Sequence, residues 1–154
     1  MHKKKVSVVV LALSTPIYIG IYENNQCIQQ IQSEEKSSEI LPVLFEQINQ
    51  KYEIEKLFYA NGPGSFMAIK VAYLFLKTIS IVKKIPLLAT DAFYFNANHP
   101  IKAIGKLYFV KINEDIVTQK FDTPQESVFQ LPKILDESQF TNIATPLYKI
   151  GAVG

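Results

Sequence analysis

Apolar residues along this chain change their spacing repeatedly, and each change marks a new element. From Lys5 to Ser14 the stretch KVSVVVLALS is rich in β-branched residues and almost continuously apolar, as a strand buried on both faces must be. Thr15-Pro16 interrupts it. IYIGIYEN then alternates and predicts a second strand, ENNQ predicts a hairpin turn because asparagine tolerates positive φ, and CIQQIQSE predicts a third, weakly alternating strand. SEEKSSE supplies polar residues and helix-capping serines. Beyond it, Ile40, Leu41, Leu44, Phe45, Ile48 and Tyr52 recur at three and four, which predicts an amphipathic helix with Pro42 near its first turn. EKLFYAN predicts a fourth strand, GPGS a turn, residues 66–83 a second helix, and PLLATDAF a fifth strand running into a loop or short helix.

The order is β-β-β-α-β-α-β. A meander followed by alternating helices and strands implies a mixed sheet covered by helices. That is the order of a ribonuclease-H-like unit, the half-domain of the actin and hexokinase superfamily. The expected fold class is therefore α/β, with residues 1–96 forming this lobe around a mixed five-stranded sheet. Residues 97–154 are expected to form a reduced second lobe or a C-terminal extension. Within them, IKAIGKLYFVKINEDIVTQKF predicts a strand, a turn at NED and a second strand. SVFQLPKILDE predicts a short helix interrupted by Pro132, and TNIATPLYKIGAVG a final strand.

The second helix is unusually apolar. Lys70, Tyr73, Lys77 and Lys84 trace a narrow polar stripe, while Phe66, Ile69, Val71, Leu74, Phe75, Leu76 and Ile79 surround it. A helix that only covers a sheet shows water a broad polar face. This one does not, so a second face meets another helix. The first helix of the same chain and the helices of a partner both satisfy that requirement.

Composition narrows the function classes. The chain has 154 residues, 48% of them hydrophobic, which is enough for a sizeable core. Its formal net charge of +2 is too small to argue for nucleic-acid binding, and Lys3, Lys4 and Lys5 read as a solvated, frayed terminus. The single cysteine, Cys27, forms no intramolecular disulfide and fits a reducing compartment, so a cytoplasmic location is expected. The apolar run after the first lysines is strand-like and lacks a clean cleavage site. Residues 66–82 carry Lys70 and Lys77, so no membrane span is expected. His2 and His99 are far apart and have no metal-ligand company, so no metal site is expected.

A nuclease on a ribonuclease-H-like fold needs clustered carboxylates for two metal ions. Here Ser14 and Thr15 end the first strand, Asn61 ends the fourth, and Asp91 stands alone and reads as a cap. An ATP-dependent relative needs an aspartate in the turn between the first two strands, a second phosphate loop and a glycine-rich adenosine site. The stretch LSTPIYIG has no aspartate, and the C-terminal part shows neither of the others. No catalytic residue and no cofactor are predicted. The GPGS turn lacks the lysine of a P-loop. It either presents helix-start amides to an anion or only aims the helix behind it.

One resemblance is specific. NGPGSFMAIKVAYLFLKTI resembles the signature of the TsaB (YeaZ-like) family, roughly G-P-G-S-F-T-G-x-R followed by a helix rich in small residues. LALSTP is similar to the family's first strand and D-T-S-like turn, and SEILPVL to its first helix, so the resemblance covers about residues 6–95. Met67, Ala68 and Lys70 stand where the family usually has Thr, Gly and Arg, and Ser14 where it has Asp. The resemblance implies a non-catalytic scaffold and activator of tRNA threonylcarbamoyladenosine modification, partnered by a TsaD-like catalytic subunit and a TsaE-like ATPase. On that reading Gly62, Pro63, Gly64, Ser65 and Phe66 form a structural turn. The partner surface is expected at Leu41, Phe45, Met67, Lys70, Val71 and Leu74, on the two helices. A homodimer through the same helices and an anion-binding enzyme using the GPGS turn are the alternatives.

One expected outcome follows from the missing groups. The chain alone should not hydrolyse ATP; phosphate release above the protein-free rate would contradict the non-catalytic reading.

Overall fold

The apolar run near the start becomes β1 (Lys4–Leu11), the middle strand of a five-stranded sheet. A computed structural model describes residues 2–147. β2 (Ile17–Glu23) lies antiparallel to β1, and β3 (Gln26–Ser33) antiparallel to β2. On the other side of β1 come β4 (Tyr52–Ala60) and then β5 (Leu87–Thr90), all three parallel. The sheet is therefore mixed, in the order β3-β2-β1-β4-β5. Asn24 and Asn25 both take positive φ, 50° and 63°, the backbone a two-residue hairpin needs to match strand twist. Lys4 and Lys5 do not fray: they pair with Tyr52 and Glu53 in the parallel ladder, with their side chains in water.

Two helices cover one face. α1 (Ser37–Lys51) buries Leu41, Leu44, Phe45 and Ile48. No serine caps it; Lys36 occupies the cap position without a side-chain hydrogen bond. Pro42 sits in the second turn rather than the first, where it is exposed and its missing N–H deprives one carbonyl that water can serve. Tyr52, expected in the last helical turn, instead opens β4. Its N–H closes the helix on the Ile48 carbonyl, while pairing with Lys4 holds it extended. α2 (Phe66–Lys83) follows the GPGS turn and ends at Lys84 in the left-handed conformation. Phe45 of α1 meets Phe75 of α2 edge-on, with centroids 5.2 Å apart.

Among the described residues, no α-helix covers the opposite face. Alternation along β4 shows the division: Tyr59 stacks on Tyr73 of α2, whereas Phe58 meets Phe140 on the other side. That side is filled by a 3-10 turn, Ala92–Phe95, and by the chain beyond residue 120. SVFQLPKILDE, expected as a helix, runs extended there. Phe129 and Leu131 turn inward while Val128 and Gln130 face water, a period of two. The Cys27 N–H donates to the Lys133 carbonyl at 2.9 Å and the Leu135 N–H to that of Asn25 at 2.8 Å. Backbone pairing with the β2–β3 hairpin thus outcompetes a helix that Pro132 already weakens. A second 3-10 turn, Glu137–Gln139, follows, and Lys56 of β4 bonds Glu137 at 2.9 Å, holding its carboxyl below the usual range.

The expected strand–turn–strand forms a second, antiparallel sheet, with one short strand more: β6 (Ile101–Lys102), β7 (Leu107–Ile112) and β8 (Asp115–Lys120). Ile101, Phe109, Leu131, Leu135, Phe140 and Ala144 all join the main apolar core. Of the expected final strand, Thr141 bridges to Ala89 of β5, and residues 148–154 lie outside the described residues.

Tyr22 ties the C-terminal segment to the sheet. Its ring is buried, and its hydroxyl donates to the Pro132 carbonyl at 2.6 Å. Burial, and then the neighbouring Cys27, push that hydroxyl far above its usual titration range, so it stays a donor. Tyr22→Phe leaves the carbonyl without this partner and should cost about 1–3 kcal/mol. Urea unfolding should show a lower midpoint with an unchanged slope; an unchanged midpoint would remove this bond from the segment's anchorage.

Candidate functional site

The turn before α2 is fixed by contacts within the chain. At the end of β4 the Asn61 N–H donates to the Thr90 carbonyl at 3.0 Å, and its side-chain amide donates to the Thr145 carbonyl at 3.1 Å. Gly62 has φ +123°, a conformation that residues with a Cβ rarely adopt, and its carbonyl accepts from Ala92 at 2.8 Å. Pro63 is buried behind it. At Gly64 a Cβ would lie 3.0 Å from both the Cβ and the carbonyl oxygen of Leu13. That same carbonyl accepts the Ser65 N–H at 2.7 Å. Ser65 then caps α2, its hydroxyl accepting from Ala68 at 3.4 Å. The glycines thus let the start of α2 approach the end of β1.

The acidic group after β5 is engaged in contacts within the chain. Asp91 caps the Ala92–Phe95 turn, accepting from Phe93 at 3.0 Å, and its other oxygen pairs with Lys111 of β7 at 2.6 Å. Among the described residues, no group of three His, Cys, Asp or Glu side chains is placed to hold a metal ion.

α2 presents three faces. Ile69, Ala72 and Leu76 are buried on the sheet. Phe75 and Ile79, half-buried, pack against the core on the α1 flank. Opposite the sheet, Met67 (64% exposed) and Leu74 (54%) stand in water with Ile81 and Val82, and Val71 is partly covered. Positions 67, 71, 74, 78 and 81 lie on one line of a helix, so these side chains form one strip, with Thr78 between Leu74 and Ile81 and with Lys70 and Lys77 beside it.

The six partner residues expected from sequence divide accordingly. Met67 and Leu74 are exposed on the strip, Val71 is partly so, and Lys70 is exposed beside it. Leu41 and Phe45 are 0% and 2% exposed, packed in the core, and meet no partner while the domain is folded. The reason is that α1 has one apolar stripe, and the sheet takes it; its only exposed large apolar residue is Val43. Phe66, expected both to close the turn and to start the helix, opens the helix and is itself exposed. Ile81 and Val82 read as apolar positions of the helix but were not among the expected partner contacts, although Ile81 continues the spacing from Leu74.

The turn geometry has a direct test. Gly64→Ala forces Leu13 and the start of α2 apart and should destabilise the chain by roughly 1–3 kcal/mol, as overpacking does. Thermal unfolding at the wild-type temperature would contradict the close approach.

No family model matches the chain, and no curated protein matches its sequence. Solved structures do match. YeaZ from Pseudomonas aeruginosa superposes with a TM-score of 0.58 at 9% identity, over 80% of this chain and 66% of that one. An uncharacterized protein with similarity to peptidase YEAZ, also from Pseudomonas aeruginosa, gives the same values. This chain spans 66% of the length of those structures and shares their fold.

Proposed function

We propose that this chain is a non-catalytic scaffold of the TsaB type, which docks a TsaD-like catalytic subunit through the outer strip of α2 in tRNA threonylcarbamoyladenosine modification. A TsaE-like ATPase is the third component. The observation that carries the reading is the exposed apolar strip Met67–Val71–Leu74–Ile81 directly behind the GPGSF turn. An exposed strip of this kind is the mark of an interface. The fold shared with YeaZ supports it, as does the engagement of Asp91 in a cap and an ion pair. On this reading the sheet of β6, β7 and β8 with the segment beyond it is a reduced second lobe, and the protein works in the cytoplasm. Among the described residues, no helix is long and apolar enough to cross a membrane.

Leu74→Glu tests the reading. Leu74 is exposed, so the variant should keep its fold by circular dichroism. At the centre of an interface the new carboxylate is buried unpaired, at a cost of about 3–5 kcal/mol. Association with a TsaD-like subunit, followed by light scattering, should weaken by roughly a hundredfold or more. A folded variant that associates at wild-type affinity would take the strip out of the interface. A homodimer lost in the same variant, with no binding to a TsaD-like subunit by the wild type, would favour the self-pairing alternative.

A further inference from the structure

β8 is an edge strand. It pairs with β7 along one side, without a bulge, and among the described residues no backbone group pairs with its other side. The hairpin shows which groups that open side carries. Ile112 and Asp115 flank a two-residue turn in which Asn113 has φ 57°, and the pair closing such a turn exchanges its hydrogen bonds. Asp115, Val117 and Gln119 therefore turn their N–H and C=O groups to β7. Phe121 keeps the alternation, its N–H donating to the Lys106 carbonyl at 2.9 Å. The N–H and C=O groups of Ile116, Thr118 and Lys120 point along the open edge.

A free edge is a template for another strand, and proteins usually blunt it with a proline, a bulge or a charge at its middle. β8 has none of these. The β-branched residues Ile116, Val117 and Thr118 form its middle, and Val117 is 42% exposed. Its charges lie at the two ends: Glu114 in the turn with Asp115 beside it, and Lys120 at the far end. Glu114 and Lys120 are both exposed, and among the described residues no ion pair engages either.

We infer that β8 pairs antiparallel with β8 of a second copy of this chain, joining the two three-stranded sheets into one. The charges select the register. About a two-fold axis normal to the sheet, residues opposite each other across the seam lie on the same face, so the axis passes between two copies of one residue. With Val117 at the axis, Ile116 exchanges hydrogen bonds with the partner's Thr118, and Glu114 faces the partner's Lys120 at both ends of the seam. The two Val117 side chains then form a non-hydrogen-bonded pair, where side chains come closest. With Thr118 at the axis, Glu114 faces the partner's Asp122; with Ile116 there, Lys120 faces the partner's Ile112. Of the three, the Val117 register alone pairs opposite charges. This edge is distinct from the outer strip of α2, so the inference does not rest on the docking role.

The test is sedimentation velocity of the full chain over a range of concentrations. One short strand buries less than a standard interface, so the dimer should be weak, with Kd on the order of 100 μM. Thr118→Pro removes an N–H that β7 does not use and should abolish the dimer while circular dichroism shows the fold kept. Lys120→Glu sets like charges against each other at both ends of the seam and should weaken the dimer about tenfold. Adding Glu114→Lys to that variant restores opposite charges and should return wild-type affinity. In a mixture of labelled and unlabelled chain, isotope-filtered NMR should place the Val117 methyls of one copy against those of the other. A chain that stays monomeric up to about 1 mM would overturn the inference. So would a dimer indifferent to Lys120→Glu. A dimer that Leu74→Glu dissolves and Thr118→Pro leaves intact would also overturn it, and would assign self-association to α2.

Discussion

The structure depends on β1 being apolar on both faces. Val6, Val8, Val9, Val10 and Leu11 are all buried, and each such side chain contributes roughly 1.5–3 kcal/mol only if its face is covered. A sheet with such a strand at its centre must be covered twice. The connections decide how. β3, β1, β4 and β5 run parallel, and both helical crossovers, β3 to β4 through α1 and β4 to β5 through α2, step in the same direction along the sheet. Crossovers of this kind are right-handed, so both helices fall on the same face. The opposite face is left to whatever the chain supplies next. Residues beyond 120 meet it as extended backbone, which explains why Leu131, Leu135 and Phe140 join the first core instead of building another.

The same constraint shapes α2. It reaches the sheet because Gly64 lets its first turn approach Leu13, and it shares one flank with α1. A helix lying on a sheet beside one neighbour has a third side in water. On α1 that side is mostly polar, with Val43 as the exception; on α2 it carries Met67, Leu74, Ile81 and Val82. The proposed docking role rests on this difference between two helices of one layer.

Much of this was legible in the sequence, and the misses have physical causes. β1, the Asn24-Asn25 hairpin and the full length of α2 follow from local patterns: a continuous apolar run, positive-φ residues, and a turn ahead of a helical apolar stretch. The inward side of α1 does not follow from a local pattern. Leu41 and Phe45 form an apolar stripe under either orientation, and only the crossover handedness puts that stripe on the sheet. Tyr52 and the segment around Pro132 were misread because pairing across the sheet, with Lys4 and with the β2–β3 hairpin, overrides helical spacing. Ser37 reads as an ordinary capping serine until Lys36 is seen to hold the cap position and Ser37 to face inward.

The chain contains only two methionines, Met1 and Met67, and Met67 stands on the outer strip of α2. Methyl NMR of methionine-labelled chain, titrated with a TsaD-like subunit while light scattering follows complex formation, tests the docking surface most directly. The account predicts that the Met67 methyl shifts or broadens saturably, in step with the complex. A complex that forms while the Met67 methyl stays unmoved would contradict it.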